Sequence, residues 1–338
     1  MGMNRTHIII AAAVALAAIV LLAASPAFVT PRVPSGWQPA VVTIPRGMGA
    51  GRIASLLAAQ GVIEHQRYFK LVAVIRGLNT RLKAGRYKFS YPLSAWEAVQ
   101  QLASGAVAYN LATIPEGYTM ARIAEVLRAT ASVDSARFLA SCHDTALIGS
   151  LGLREKDLEG YLYPDTYEFE WETPAPKVAE RMARRCLDLF TPEWKSQMAK
   201  DRRSLHQIVT MASLVEAEAQ VDSERALVAS VFYNRLRLKR PLESCASIEY
   251  ILPRHKKYRL TFNDLKRPSP YNTYLNRGLP PGPICSPGKK SIEAAIFPAQ
   301  TGYLSFVAKG DGGHVFSKTL EEHARAKYII NKMKNRQE

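Results

Sequence analysis

The chain has 338 residues, 47% of them hydrophobic, with 20 glycines and 20 prolines, enough for a true core and, as a soft expectation, two domains. Its net charge of +16, from 45 Lys and Arg against 29 Asp and Glu, points to an anionic surface or polymer as a neighbour and says nothing about fold. The basic residues are scattered and no zinc finger, basic zipper or aromatic RNA-binding signature is present, which argues against nucleic acid.

Residues Ile8–Ala24 carry no charge, and apolar character resumes at Ala27, Phe28 and Val29. The run is close to the ~20 residues needed to cross a bilayer. Arg5 precedes it, Arg32 follows it and the short N-terminal flank has no acid, so the positive-inside rule favours a cytoplasmic N-terminus and an exported body. The rival is a cleavable signal peptide with small residues at Ala24-Ser-Pro-Ala27. The apolar run exceeds the ~7–15 residues of a signal core, which favours a retained anchor. Cys142, Cys186, Cys245 and Cys285 would then face an oxidising space. Sequence leaves their pairing open, and free or partly buried thiols are the expectation.

A Pro-rich spacer, Pro31–Pro39, leads into an internal repeat. Thr43-Ile-Pro-Arg-Gly47 followed by Arg52-Ile-Ala54 returns as Thr113-Ile-Pro-Glu-Gly117 followed by Arg122-Ile-Ala124. Each copy reads as a short strand, a Pro-containing turn and a helix with an apolar face, Ile53, Leu56 and Leu57 in one and Ile123, Val126 and Leu127 in the other. Ser94–Leu102 reads as a further helix, with Ser94 as cap and Glu97 completing a capping box. The stretch from about 40 to 110 is therefore expected as a small strand-helix-helix-strand module, with packing and binding roles equally open. Leu158–Phe169, with its tyrosines, Gly160, Pro164, Glu159 and Asp165, reads as a turn-rich ribbon. Aromatic rings beside carboxylates suit a sugar, although a tyrosine-rich core strand fits as well.

After Thr173-Pro-Ala-Pro176, Lys177–Phe190 and Glu193–Lys200 read as helices. Ile208–Gln220 follows as a helix with apolar residues on every side and one carboxylate, Glu216, set into the run. A lone Glu among aliphatic neighbours loses hydration, which favours its protonated form and makes it a proton donor for glycosidic cleavage. The bland reading is a capping box from Ser213 to Glu216, but the helix is already under way upstream and Ser204 or Asp201 is a better cap. Glu218 lies roughly 200° around the helix from Glu216, so the two do not share a face.

Asp222 or Ser223 is expected to cap the next helix, Glu224–Leu238, which carries Asn234. Pro268–Ile284 is a long irregular stretch, and Tyr271, Asn272 and Tyr274 within it give an aromatic-amide-aromatic arrangement suited to an amide-bearing sugar. Tyr303–Val307 and His314–Phe316, joined through Gly310-Asp-Gly-Gly313, read as a hairpin, and Glu321–Lys332 as a closing helix. His314 and His323 have no partner at ligand spacing, so neither a metal nor a cofactor is expected.

Taken in order, Glu159-Gly-Tyr-Leu-Tyr-Pro-Asp-Thr-Tyr167, Ala212-Ser-Leu-Val-Glu-Ala-Glu218, Val231-Phe-Tyr-Asn-Arg-Leu236, Tyr271-Asn-Thr-Tyr274, Gly278-Leu-Pro-Pro-Gly282 and His314-Val-Phe316 resemble the endolytic murein transglycosylase family, the YceG-like proteins. The resemblance implies an α+β protein with a cytoplasmic N-terminus and transmembrane anchor at residues 1–33, a linker and LysM-like βααβ module at 34–110, and a mixed α+β catalytic domain at 111–338. It implies cleavage of the β-1,4 bond between N-acetylmuramic acid and N-acetylglucosamine within peptidoglycan strands, leaving 1,6-anhydro ends. The family's acid, the first Glu of Ala-Ser-x-x-Glu-x-Glu, falls on Glu216. Glu159, Gln220, Asn234, Tyr271, Asn272 and Tyr274 are the candidates for holding sugar. A single acid fits this chemistry because the sugar's own 6-hydroxyl is the nucleophile, whereas a hydrolase needs a second carboxylate.

The implied location is the inner membrane with the catalytic domain in the periplasm, and the implied partners are glycan strands, the membrane, penicillin-binding proteins and other wall-synthesis enzymes. The positive charge suits anionic lipid and acidic peptide stems. Where the family usually shows Ser or Thr-Asp-Pro-Thr, this chain reads Ser244-Cys-Ala-Ser247. A non-catalytic glycan-binding scaffold is the alternative, and nucleic-acid binding a weaker one.

Overall fold

The computed structural model describes residues 27–45, 47–105, 110–170, 173–252 and 260–334. The expected anchor core, Ile8–Ala24, lies outside them, and among the described residues no helix is long and apolar enough to cross a membrane. The architecture is mixed α+β, helices with small two-stranded sheets. Contacts divide the chain into two units, one up to Asn110 with Glu168–Glu172, the other Leu111–Tyr167 with Thr173 onward.

In the first unit β1 (Ala40–Ile44) pairs antiparallel with β2 (Gly85–Phe89), Ala40 opposite Phe89 and Ile44 opposite Gly85. Between the two strands run α1 (Ala50–Ala59) and α2 (Gln66–Ile75), and α3 (Ala95–Ser104) follows. The strand-helix-helix-strand order is thus completed by α2 and β2, and the helix expected at Ser94–Leu102 follows the returning strand. Strand β2 alternates as a half-buried strand should, with Tyr87 and Phe89 inside and Lys88 outside. The Tyr87 hydroxyl finds the Lys83 carbonyl at 2.7 Å, so the ring is buried without stranding its polar end. Ser94 and Glu97 form the expected capping box on α3.

Next in the chain β3 (Asn110–Thr113) pairs with β4 (Thr166–Phe169), and between them lie α4 (Met120–Ala131), α5 (Ser135–Cys142) and α6 (Thr145–Ser150), all three in the second unit. Helices α7 (Ala175–Leu187) and α8 (Pro192–Lys200) lead to α9 (Leu205–Glu218), capped by Ser204 with Gln207 in a capping box. Ile208 through Val215 are all buried in α9, which packs on α10 (Arg225–Arg237) and most extensively on α13 (Lys289–Ile296). Two short helices, α11 (Cys245–Ile251) and α12 (Phe262–Leu265), precede the irregular stretch. Strands β5 (Ser305–Ala308) and β6 (His314–Ser317) form the antiparallel hairpin, and α14 (Leu320–Lys334) closes the chain. All four cysteines are free thiols; Cys142, Cys186 and Cys285 are buried and Cys245 is exposed.

Candidate active site

Helix α9 delivers Glu216 in its last turn, with the side chain only 7% exposed. Its neighbours are not the aliphatic ones that composition suggests. Oε2 accepts from Arg225 Nη1 at 3.1 Å, from the Gly288 amide at 3.0 Å and from Ser291 Oγ at 2.8 Å. Oε1 accepts no hydrogen bond from the described residues. The correction has a physical reason: a carboxylate this buried needs donors or a counter-charge, and three elements supply them. Arg225 stands at the start of α10, while Gly288 is the N-cap of α13 and Ser291 lies in its first turn, so the amide end of α13 faces the carboxylate. Ser213 forms no capping box with Glu216; its hydroxyl bonds Thr210 O at 2.8 Å and receives the Ile284 amide at 3.0 Å.

Arg225 is itself buried, with 8% of its side chain exposed, and its Nε holds Asp222 Oδ1 at 3.0 Å. Burial works against its charge, but Glu216 and Asp222 more than offset this and its pKa is raised. Asp222 also pairs with Lys290, and hydrogen bonds from Lys290 and then Arg225 hold its carboxyl below the usual range. Asp222 is therefore occupied by these cations instead of capping α10; it opens a short 3-10 turn, Asp222–Glu224, whose Glu224 grips the hairpin through His314 Nδ1 at 2.7 Å. Opposite this cluster, the loop carrying Glu116 is tied to the segment before α13 by Gly117 N to Ser286 O at 2.9 Å and Ser286 N to Tyr118 O at 2.8 Å.

The residues expected to hold sugar do not share one place. Asn272 is fully buried; its Nδ2 donates to Leu265 O and Arg267 O, and its Oδ1 accepts from the Tyr274 and Leu275 amides. Its amide braces the loop, all four of these bonds being made within the fold. Glu159 is 5% exposed and accepts the Met120 amide at 2.9 Å at the start of α4, so its carboxylate also serves the fold. Tyr271 packs on Tyr250, ring centroids 5.1 Å apart, and lines a cavity of about 110 Å³ with Glu155 and His206. Tyr274 Oη lies 3.1 Å from Cys245 Sγ. Asn234 donates to Thr301 O and Tyr303 O on the wall of a separate cavity of about 840 Å³ that also carries Arg203, Arg237 and Lys318. Gln220 is exposed, close to Gly312 of the hairpin turn. Glu216 lines neither of these cavities.

Glu218, on the other side of α9, accepts from Ser244 Oγ at 2.6 Å and from the Ala246 amide, so it anchors the segment where this chain departs from the family's acidic pattern. Sequence reasoning missed Arg225, Ser291 and Glu116. Glu116 could have been found in the repeat, where the second copy places an acid and the first a base.

The chain matches the model of the YceG-like family over residues 42–328. It is 36% identical over 309 residues to a Bacillus subtilis protein named endolytic murein transglycosylase, covering 86% of this chain and 85% of that one. It is 30% identical over 325 residues to a Streptococcus pneumoniae protein of the same name, covering 86% of this chain and 59% of that longer one. The crystal structure of a YceG-like protein from Listeria monocytogenes superposes with a TM-score of 0.60 at 33% identity, over 85% of this chain and 98% of that chain. With the family's Ala-Ser-x-x-Glu-x-Glu segment placed on α9 and its Glu held at the meeting point of three helices, the chain belongs to the YceG-like family.

Proposed function

We propose that the protein is a lytic transglycosylase of peptidoglycan, cutting within glycan strands between N-acetylmuramic acid and N-acetylglucosamine and leaving 1,6-anhydro ends. The observation that carries this reading is Glu216: one carboxylate oxygen is locked by three donors, and the other accepts nothing from the described residues. A carboxyl fixed by one oxygen is oriented, and its second oxygen can exchange a proton. In the first step Oε1–H of Glu216 gives its proton to the glycosidic oxygen as the bond from C1 breaks and its electron pair stays on that oxygen. In the second, the 6-hydroxyl oxygen bonds to C1 and its proton returns to Glu216. No water is consumed, and the enzyme ends as it began.

The finer reading is that the enzyme ends nascent strands beside the penicillin-binding proteins, held at the inner membrane by residues 1–33 with the catalytic unit in the periplasm. The unit around β1 and β2 would act as a LysM-like glycan-binding module, a reading supported by its strand-helix-helix-strand order. Gln220, Tyr271, Tyr274 and Asn234 remain the proposed sugar contacts.

A non-catalytic scaffold is the second reading, and the buried Glu216–Arg225 pair favours it, since such pairs also serve only to specify a fold. Glu216→Gln separates the two. The enzyme reading expects loss of anhydro ends by at least ~10³-fold with glycan affinity kept, read by mass spectrometry of digested sacculi. Unchanged anhydro-end formation in this variant would sink the assignment.

A further inference from the structure

The arrangement around Glu216 poses a chemical problem. A general acid must hold a proton, yet the carboxyl of Glu216 is met by a guanidinium, an amide at the start of α13 and a hydroxyl, donors on every side that the structure describes. Something must counter them, and one group is placed to do so.

Glu116 sits in the turn between β3 and α4, and the backbone bonds between Gly117, Tyr118 and Ser286 hold that turn against the start of α13. The residue as a whole is exposed, but its carboxyl group lies against Gly288: a Cβ built on Gly288 would fall 1.8 Å from Glu116 Oε1 and 2.1 Å from its Cδ. Gly288 lacks a side chain where Glu116 needs the space, and its amide is the one that donates to Glu216 Oε2 at 3.0 Å. The next residue, Gly117, lies against Glu216 as well, a Cβ there reaching Glu216 Cγ at 4.0 Å. The two carboxylates therefore flank one glycine. Glu216 is paired with Arg225, whereas no ion pair or hydrogen bond joins the Glu116 carboxyl to another described residue.

We propose, building on the transglycosylase reading, that Glu116 is a positioning carboxylate of the catalytic site: seated on Gly288, it offsets Arg225 so that the Glu116–Glu216 pair keeps one proton for the glycosidic oxygen. The charged groups acting on Glu116 are Glu216 from α9, Arg225 from α10, Asp222 from the 3-10 turn and Lys290 from α13, with Tyr163 nearby. Burial and then the Glu216 charge push the Glu116 carboxyl above the usual carboxylate range, with Asp222 in the same direction and Arg225 and Lys290 against it.

The test is the pH–rate profile for anhydro-end formation on purified sacculi, from about pH 5 to about pH 9, with the detergent-solubilised full chain. Removing the like charge makes the pair surrender its proton earlier. Glu116→Gln should therefore move the alkaline limb down by about one unit, costing about tenfold in rate above it, with glycan affinity within about twofold. Glu116→Asp, which keeps the charge, should restore most of the limb.

A second readout needs no substrate. Because the folded-state pKa of Glu116 is raised, the wild type loses stability relative to Glu116→Gln as pH rises through that value. The variant's melting temperature should match wild type below the ordinary Glu range and exceed it at neutral pH. An unmoved alkaline limb, whether activity is kept or lost equally at every pH, overturns the proposal, as does a melting difference that does not change with pH. If instead the wild type forms no anhydro ends on these sacculi, it is the transglycosylase reading that fails, and if Glu216→Gln still forms them, it is the role of Glu216 as the acid.

Discussion

The chain contains the same strand-turn-helix piece twice, once in each unit, and the copies agree wherever packing decides. Helix α1 buries Ile53, Ala54 and Leu57 and α4 buries Ile123, Ala124 and Leu127, the same positions counted from Thr43 and Thr113. Each turn uses a glycine in the left-handed region, Gly47 at φ 77° and Gly117 at φ 76°. They part at what surrounds the turn. A Cβ at Gly47 would meet nothing within 4 Å, whereas one at Gly117 would touch Glu216. At the preceding position the first copy has Arg46 and the second Glu116. The hydrophobic half of the piece is shared scaffold; the turn lies against Glu216 in the second copy alone.

The largest expected effects therefore fall on the shared half and should be alike. Ile53→Ala and Ile123→Ala each remove a fully buried side chain and should each cost about 2–5 kcal/mol within their own unit. Hydrogen exchange, resolved by unit, measures both. A cost confined to one copy would mean that the packing equivalence is only apparent.

This half of the molecule was legible in the sequence because periodicity reports burial directly. The hairpin, the capping box at Ser94, the cap at Ser204 (offered beside Asp201) and the burial of α9 were legible too. What stayed illegible depends on partners far apart in the chain. Arg225 reads as the start of an ordinary helix, and only folding brings it 3.1 Å from Glu216. Asn272 reads as a sugar amide because side-chain chemistry is visible in sequence, while the four backbone groups that occupy it are not. Strand β2 escaped notice because Gly85-Arg-Tyr-Lys-Phe89 is short and its partner β1 lies before two helices.

The next effect in size tests the exposed half by exchanging its one distinguishing charge. Glu116→Arg should cut anhydro-end formation at mildly alkaline pH by about 10²-fold, more than Glu116→Gln, because it replaces the counter-charge to Arg225 with a second cation. Arg46→Glu, the reciprocal change, should leave the rate within about twofold. Equal losses from both would show that the turn acts through stability and not through the Glu216 pair.

The smallest effect separates backbone from chemistry within the turn itself. Gly47→Ala and Gly117→Ala place a Cβ at nearly the same positive φ, so each should destabilise its unit by about 1 kcal/mol. The added methyl at Gly47 points into open space, so nothing beyond that backbone strain is expected. At Gly117 the methyl comes within van der Waals reach of Glu216 Cγ, a contact at 4.0 Å that neither clashes nor removes a hydrogen bond. Stability should consequently fall equally in the two variants, and activity, measured well below either melting transition, should fall only slightly and only for Gly117→Ala. A large activity loss at Gly117 with equal stabilities would mean that the turn must move during turnover, since the static contact leaves room for the methyl.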